Sequence, residues 1–167
     1  MTAEPAAAVI ARLGLMRHDE GGWFRETYRA PASLNCPDRD GGTRALMTVI
    51  HYLMEQAAPR GLLHRNRSDI VHFHQGGGVL RYVTLDGDGL LAEHLVGPGH
   101  LSQLTVPGGV WKATELVHGP WALVGEAVSP GFDYRDRDLA RPSAIRAGHP
   151  AHAAALAPFL APEEARA

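Results

Sequence analysis

From residue 44 onward the chain is a series of short apolar runs cut by turn residues. The runs fall at 45–54, 64–67, 70–74, 79–85, 90–96, 102–106, 110–116 and 121–128. Between them stand Pro59-Arg60-Gly61, Gly76-Gly77-Gly78, Asp86-Gly87-Asp88-Gly89, Gly97-Pro98-Gly99, Pro107-Gly108-Gly109 and His118-Gly119-Pro120. Strands at roughly 8–12-residue intervals with Gly/Pro turns predict an all-β sandwich or barrel. A parallel βαβ fold would need helical patterns between the strands, and the chain has none. Asp86-Gly-Asp-Gly89 between two apolar runs predicts a hairpin.

The N-terminal part reads differently. Residues 3–13 predict a short helix, with Pro5 in its first turn and Gly14 as its stop signal. His18-Asp-Glu-Gly-Gly22 reads as a turn, Trp23-Phe-Arg-Glu-Thr-Tyr-Arg29 as a strand, and residues 30–43 as a loop. After Pro130-Gly131-Phe132 the chain turns Asp/Arg-rich and then Ala-rich. Residues 1–145 are therefore expected to form one domain, and 146–167 an Ala-rich tail that is weakly helical or frayed. There is no internal repeat.

Composition narrows the function classes. The 167 residues suit one domain, and a net charge of −2 gives no field to attract nucleic acid or an anionic membrane. A single cysteine, Cys36, excludes an internal disulfide framework and a multi-cysteine zinc site, and fits a reducing compartment. No apolar stretch approaches the roughly 18–20 residues of a membrane span, and the N-terminus lacks the basic start of a signal peptide. A soluble cytoplasmic protein is expected. Two counts stand out: ten histidines, and fifteen arginines against one lysine, Lys112. Ala-, Gly- and Arg-rich usage resembles the coding bias of a GC-rich genome, which accounts for the arginines and leaves the lone lysine worth following.

Two frames carry a resemblance. His64-x-Asn66-x3-Ile70-x6-Gly77 resembles the first cupin motif, His-x-His, three or four residues, Glu, six residues, Gly. Pro107-x-Gly109-x-x-Lys112 resembles the second, Pro-x-Gly-x-x-His. With His18–Tyr28 and Glu126-Ala-Val-Ser-Pro-Gly-Phe132, these segments resemble the Cupin-5 group of cupin domains over about residues 8–140. The resemblance implies a single double-stranded β-helix (a jelly-roll barrel) with a short N-terminal helix, a pocket at the barrel mouth and pairing as a homodimer. It also implies where this chain departs from a metal cupin. Of the four ligand positions only His64 is kept; the others hold Asn66, Ile70 and Lys112.

If Ile70 points inward, then His72 and His74 do so too, because strand side chains alternate with period two. His64, His72, Lys112 and Glu126 are thus the candidate catalytic residues. Lys112 would serve as proton donor, Schiff-base nucleophile or anion anchor, unless it is a solvated lysine at a strand end. Glu126, the one charge in its apolar run, would orient a histidine or sit at an edge. His74, Asn66, Gln103, Tyr52, Trp111 and Arg25 are candidate ligand contacts, and Arg25 lies in a segment that could cover a partner's barrel. His18, His100, His118, His149 and His152 read as solvated, beside turns or in the tail.

Three functions stand open. The resemblance to metal-free cupin isomerases and epimerases of nucleotide-linked sugars implies a small-molecule enzyme that uses His64 as general base on a polar carbonyl substrate, with no cofactor. A second reading has His64, His72 and His74 hold a divalent transition metal for oxygenation or decarboxylation. A third is a barrel that binds a small ligand without catalysis.

Overall fold

The computed structural model describes residues 4–161. Helix α1 (Ala6–Leu13) starts after Pro5 and stops at Gly14, whose φ of 62° is the left-handed helix end expected of glycine. Next come β1 (Met16–Arg17), β2 (Trp23–Arg29), and the hairpin β3 (Ser33–Asn35) and β4 (Thr43–Ala45), which lies in the segment expected as loop. The barrel strands follow: β5 (Thr48–Glu55), β6 (His64–Asn66), β7 (Asp69–Leu85), β8 (Leu91–Val96), β9 (Gln103–Val106), β10 (Trp111–Ser129) and β11 (Arg137–Leu139). Helices α2 (Pro142–Gly148) and α3 (Ala153–Leu156) close the described chain.

The protein is mostly β, with nine strands in one curled antiparallel sheet. Strand β10 is its spine and pairs β5, β6 and β7; β7 also pairs β8 and β9. Two predicted breaks are not breaks. Gly76-Gly77-Gly78 lies inside β7 and His118-Gly119-Pro120 inside β10, where the two long strands pair through shifts of register. The strands come together backbone to backbone there: a Cβ on Gly78 would collide with the carbonyl oxygen of His118. Glycine therefore bends the paired strands instead of ending them. The hairpin at 86–89 forms as read, with Leu85 opposite Leu91.

Tyr52, Met54, Leu80, Tyr82, Val106, Leu116 and Val124 fill one end of the barrel with apolar side chains. Leu53 and Leu123 face outward from the same strands and are covered by Val9 and Leu15 at the α1 end, which explains why β5 ends as an unbroken apolar run. The expected boundary at 145/146 falls inside α2. Leu156 and Phe159 beyond it are buried against Leu63, Val83 and Leu85, so the segment to residue 161 packs onto the barrel. Residues 162–167 lie outside the described residues. Asp136 is buried under a bidentate bond from Arg44 and a further bond from Arg39, tying the β3–β4 hairpin to the turn before β11.

Candidate functional site

The other end of the barrel holds a cavity of about 300 Å³. Strand alternation supplies its walls. Ile50 of β5, Ile70 of β7 and Val128 of β10 form an apolar side with Phe24 and Phe132. His64 and Asn66, two apart on β6, point in together; Lys112 and Glu126 enter from the two halves of β10. Lys112 is opposite His64 in the sheet, and Glu126 is opposite both His72 and Ile50.

His64 is held at both ring nitrogens. Its Nδ1 lies 2.8 Å from the carbonyl oxygen of Leu62 and its Nε2 3.2 Å from Glu20 Oε2. Both neighbours are acceptors, so Nδ1–H donates to Leu62 and the Nε2–Oε2 contact is attractive only with a proton between the two atoms. Burial lowers the pKa of His64; Glu20 works against it and the Lys112 ammonium adds to it. The Glu20 carboxylate also accepts from Arg137 at 3.0 Å.

Glu20 is the residue that sequence reasoning missed. It sits in the turn expected at residues 18–22 and is 7% exposed. Its carbonyl accepts from Leu62 N–H at 2.6 Å. Gly21 has φ 98°, and a Cβ there would stand 2.8 Å from the Arg60 carbonyl, so the turn lies flat on the barrel wall. His18 corrects the expectation of solvent: its side chain is 7% exposed, its Nδ1 accepts from Glu20 N–H, and its ring packs edge-on against Phe24. A charged turn beside two glycines was the available signal, but nothing local says that it folds over a barrel mouth.

Behind the cavity, His72 is fully buried between two charges. Its Nδ1 lies 3.1 Å from Glu126 Oε1 and its Nε2 3.3 Å from Lys112 Nζ, while Lys112 and Glu126 approach to 3.9 Å. Nδ1–H therefore donates to the carboxylate, and Nε2 accepts from the ammonium. Burial and the ammonium push His72 down to about 4, so it is neutral at neutral pH. Burial would raise Glu126, but Lys112 and His72 outweigh it and hold the carboxyl well below its usual range. Glu126 thus orients a histidine, as the sequence suggested. That histidine is His72, which lies behind the cavity wall. Asn66 is 6% exposed and its Oδ1 has no hydrogen-bond partner, an acceptor left open at the cavity wall.

The remaining candidates lie elsewhere. The His74 ring contacts the Gly78 carbonyl at 3.0 Å. Tyr52 donates to the Gly21 carbonyl at 3.0 Å and lies beneath the cavity. Trp111 sits under Arg65, against a separate surface depression. Gln103 and Arg25 are exposed strand residues outside the cavity lining.

The donor set does not fit the metal site that cupins imply. Of His64, Asn66, Ile70 and Lys112, isoleucine has no donor and an ammonium repels a divalent cation. Nor do His64, His72 and His74 assemble into one. Among the described residues the ligand atoms that cluster within 4.8 Å are those of His18, Asp19 and Glu20. There Arg137 already bridges both carboxylates, and His18 Nδ1 is taken by an N–H. No helix of the described chain is long and apolar enough to cross a membrane.

Comparison with known proteins agrees with this fold. The uncharacterized protein YML079W of Saccharomyces cerevisiae is 36% identical over 138 residues, 73% of this chain and 68% of that protein. A hypothetical protein from Leishmania major superposes with a TM-score of 0.88 at 28% identity, covering 95% of this chain and all (100%) of the other. Protein SO0799 from Shewanella oneidensis gives 0.85 at 28% identity, over 96% and 100%. Residues 7–140 match the family described as Cupin superfamily (DUF985), and the chain belongs to that family.

Proposed function

We propose that this barrel is a small-molecule enzyme that moves a proton next to a carbonyl group, as an isomerase or epimerase does. One observation carries the reading: His64 is anchored through Nδ1 on Leu62, with Nε2 3.2 Å from Glu20 Oε2, on the wall that also presents Lys112. In the form without the shared proton, His64 Nε2, with the Glu20 carboxylate against it, takes the proton from the carbon beside the carbonyl and holds it between Nε2 and Oε2. The electron pair of that C–H bond moves to the carbonyl oxygen, giving an enolate. Lys112 spends one N–H on His72 and offers another to the enolate oxygen. When the α-hydroxyl proton passes to the enolate oxygen, return of the proton from His64 to the former carbonyl carbon moves the carbonyl; protonation from solvent on the opposite face, with His64 giving its proton back to solvent, inverts the centre. His72 and Glu126 act as positioning residues that hold the ammonium in place.

Deuterium exchange in D2O, followed by proton NMR, tests this on neutral α-hydroxy ketones. The wild-type protein is expected to wash deuterium into the α-carbon. His64→Gln and Glu20→Gln should each slow the exchange by roughly 100-fold or more. Full exchange by either variant defeats the assignment. A ligand that binds the wild type and never exchanges would make the barrel a binding module.

A further inference from the structure

The proposed chemistry leaves the substrate class open, and the resemblance in sequence pointed to sugars carried on a nucleoside diphosphate. The charges around the cavity argue otherwise. Its lining holds four carboxylates, Glu20, Glu26, Glu126 and Asp133, and two permanent cations, Arg29 and Lys112. Both cations are matched from within the protein. Arg29 bonds Glu26 at 2.7 Å, and Lys112 stands 3.9 Å from Glu126 with His72 against it. The two remaining carboxylates have cations of their own: Arg137 on Glu20 at 3.0 Å and Arg135 on Asp133 at 2.7 Å. A phosphate entering here would meet carboxylates and no unmatched cation, at the full cost of its own desolvation.

Two further features describe what does fit. The Ile50, Ile70, Val128, Phe24 and Phe132 side accepts apolar surface. The unpartnered Asn66 Oδ1 asks for a hydrogen-bond donor that the side chains and backbone around it do not provide. A cavity of about 300 Å³ sits at the small end of ordinary ligand sites.

We infer that the cavity takes an uncharged hydroxy-carbonyl compound with an apolar flank, its hydroxyl donating to Asn66 and its apolar part against Phe24 and Phe132. This rests on the cavity being the substrate site, as proposed above. Anionic and cationic carbonyl compounds of the same size are disfavoured.

Isothermal titration of the whole protein reads binding without reference to turnover. The probes are 2-hydroxyacetophenone (neutral, hydroxylated), acetophenone (neutral, no hydroxyl), dihydroxyacetone phosphate (anion) and aminoacetone (cation). At pH 7 the hydroxyacetophenone is expected to bind at least about tenfold tighter than the phosphate or the amine. Asn66→Leu should weaken hydroxyacetophenone roughly tenfold and leave acetophenone unchanged. Equal or tighter binding of the phosphate or the amine overturns the inference. So does failure of both neutral probes to bind, or an equal loss of both in Asn66→Leu. Tight neutral binding with no deuterium exchange leaves this inference standing and defeats the proton-transfer reading instead.

Discussion

Lys112 and Glu126 belong to the same strand, yet they face each other 3.9 Å apart with the ring of His72 bridging them. The strand is long enough to serve two walls of the barrel, pairing β6 with its first half and β5 with its second. An ammonium and a carboxylate are thereby brought together in a water-poor interior, where each needs the other.

That dependence predicts a non-additive pair. Lys112→Met alone leaves the Glu126 carboxylate buried without its cation and should cost about 3–5 kcal/mol in denaturant unfolding. Adding Glu126→Gln removes the stranded charge, so the double variant should recover most of the loss. Additive losses would show that the two side chains do not depend on each other.

Acid should loosen the fold before the carboxylates titrate. His72 is held at about 4 against an ordinary 6.5, so between those values the unfolded chain binds a proton that the folded chain does not. Its contribution is complete above about pH 6.5 and is lost as pH falls towards 4, with a slope of up to about 1.4 kcal/mol per pH unit. Glu126, lowered from 4.5, adds a loss below that pH. Urea midpoints at pH 7, 6 and 5 should decline stepwise; a flat series would contradict a neutral buried His72.

Gly21 places Glu20, and the pair can be separated from it by one methyl group. Gly21→Ala puts a side chain at φ 98° and a Cβ 2.8 Å from the Arg60 carbonyl. The strain should cost about 1–3 kcal/mol and move the carboxylate, lowering deuterium exchange by roughly tenfold or more. Exchange at the wild-type rate would show that Glu20 is not held by this turn.

Residues that the strand pattern nominated but the barrel turned outward should be dispensable. Gln103→Ala and Trp111→Phe should leave both exchange and hydroxyacetophenone affinity within about twofold of wild type. Gln103 is exposed, and exposed substitutions have small effects. Trp111 faces a different depression under Arg65. A large loss in either would place a substrate contact outside the cavity described here.

Local sequence sufficed for the all-β class, a short helix expected over 3–13 and formed over Ala6–Leu13, the hairpin after Leu85 and the shared inward parity of Ile70 and His72. These follow from period-two alternation and turn chemistry, which act over a few residues. It also singled out His64, His72, Lys112 and Glu126 as chemistry-bearing residues, and Asn66 as a contact. Tertiary structure alone decided which of them meet. Gly78 against His118 turned two expected breaks into bends, so β7 and β10 each span the barrel. The closing turn brought Glu20 onto His64 across 44 residues of chain, and β10 folded Lys112 back onto Glu126. Pairing of charges across such separations depends on sheet curvature and register, which no local pattern encodes. The lone lysine of the composition is thus a buried cation with a carboxylate and a histidine against it, where a strand end in water was one of the sequence-based alternatives.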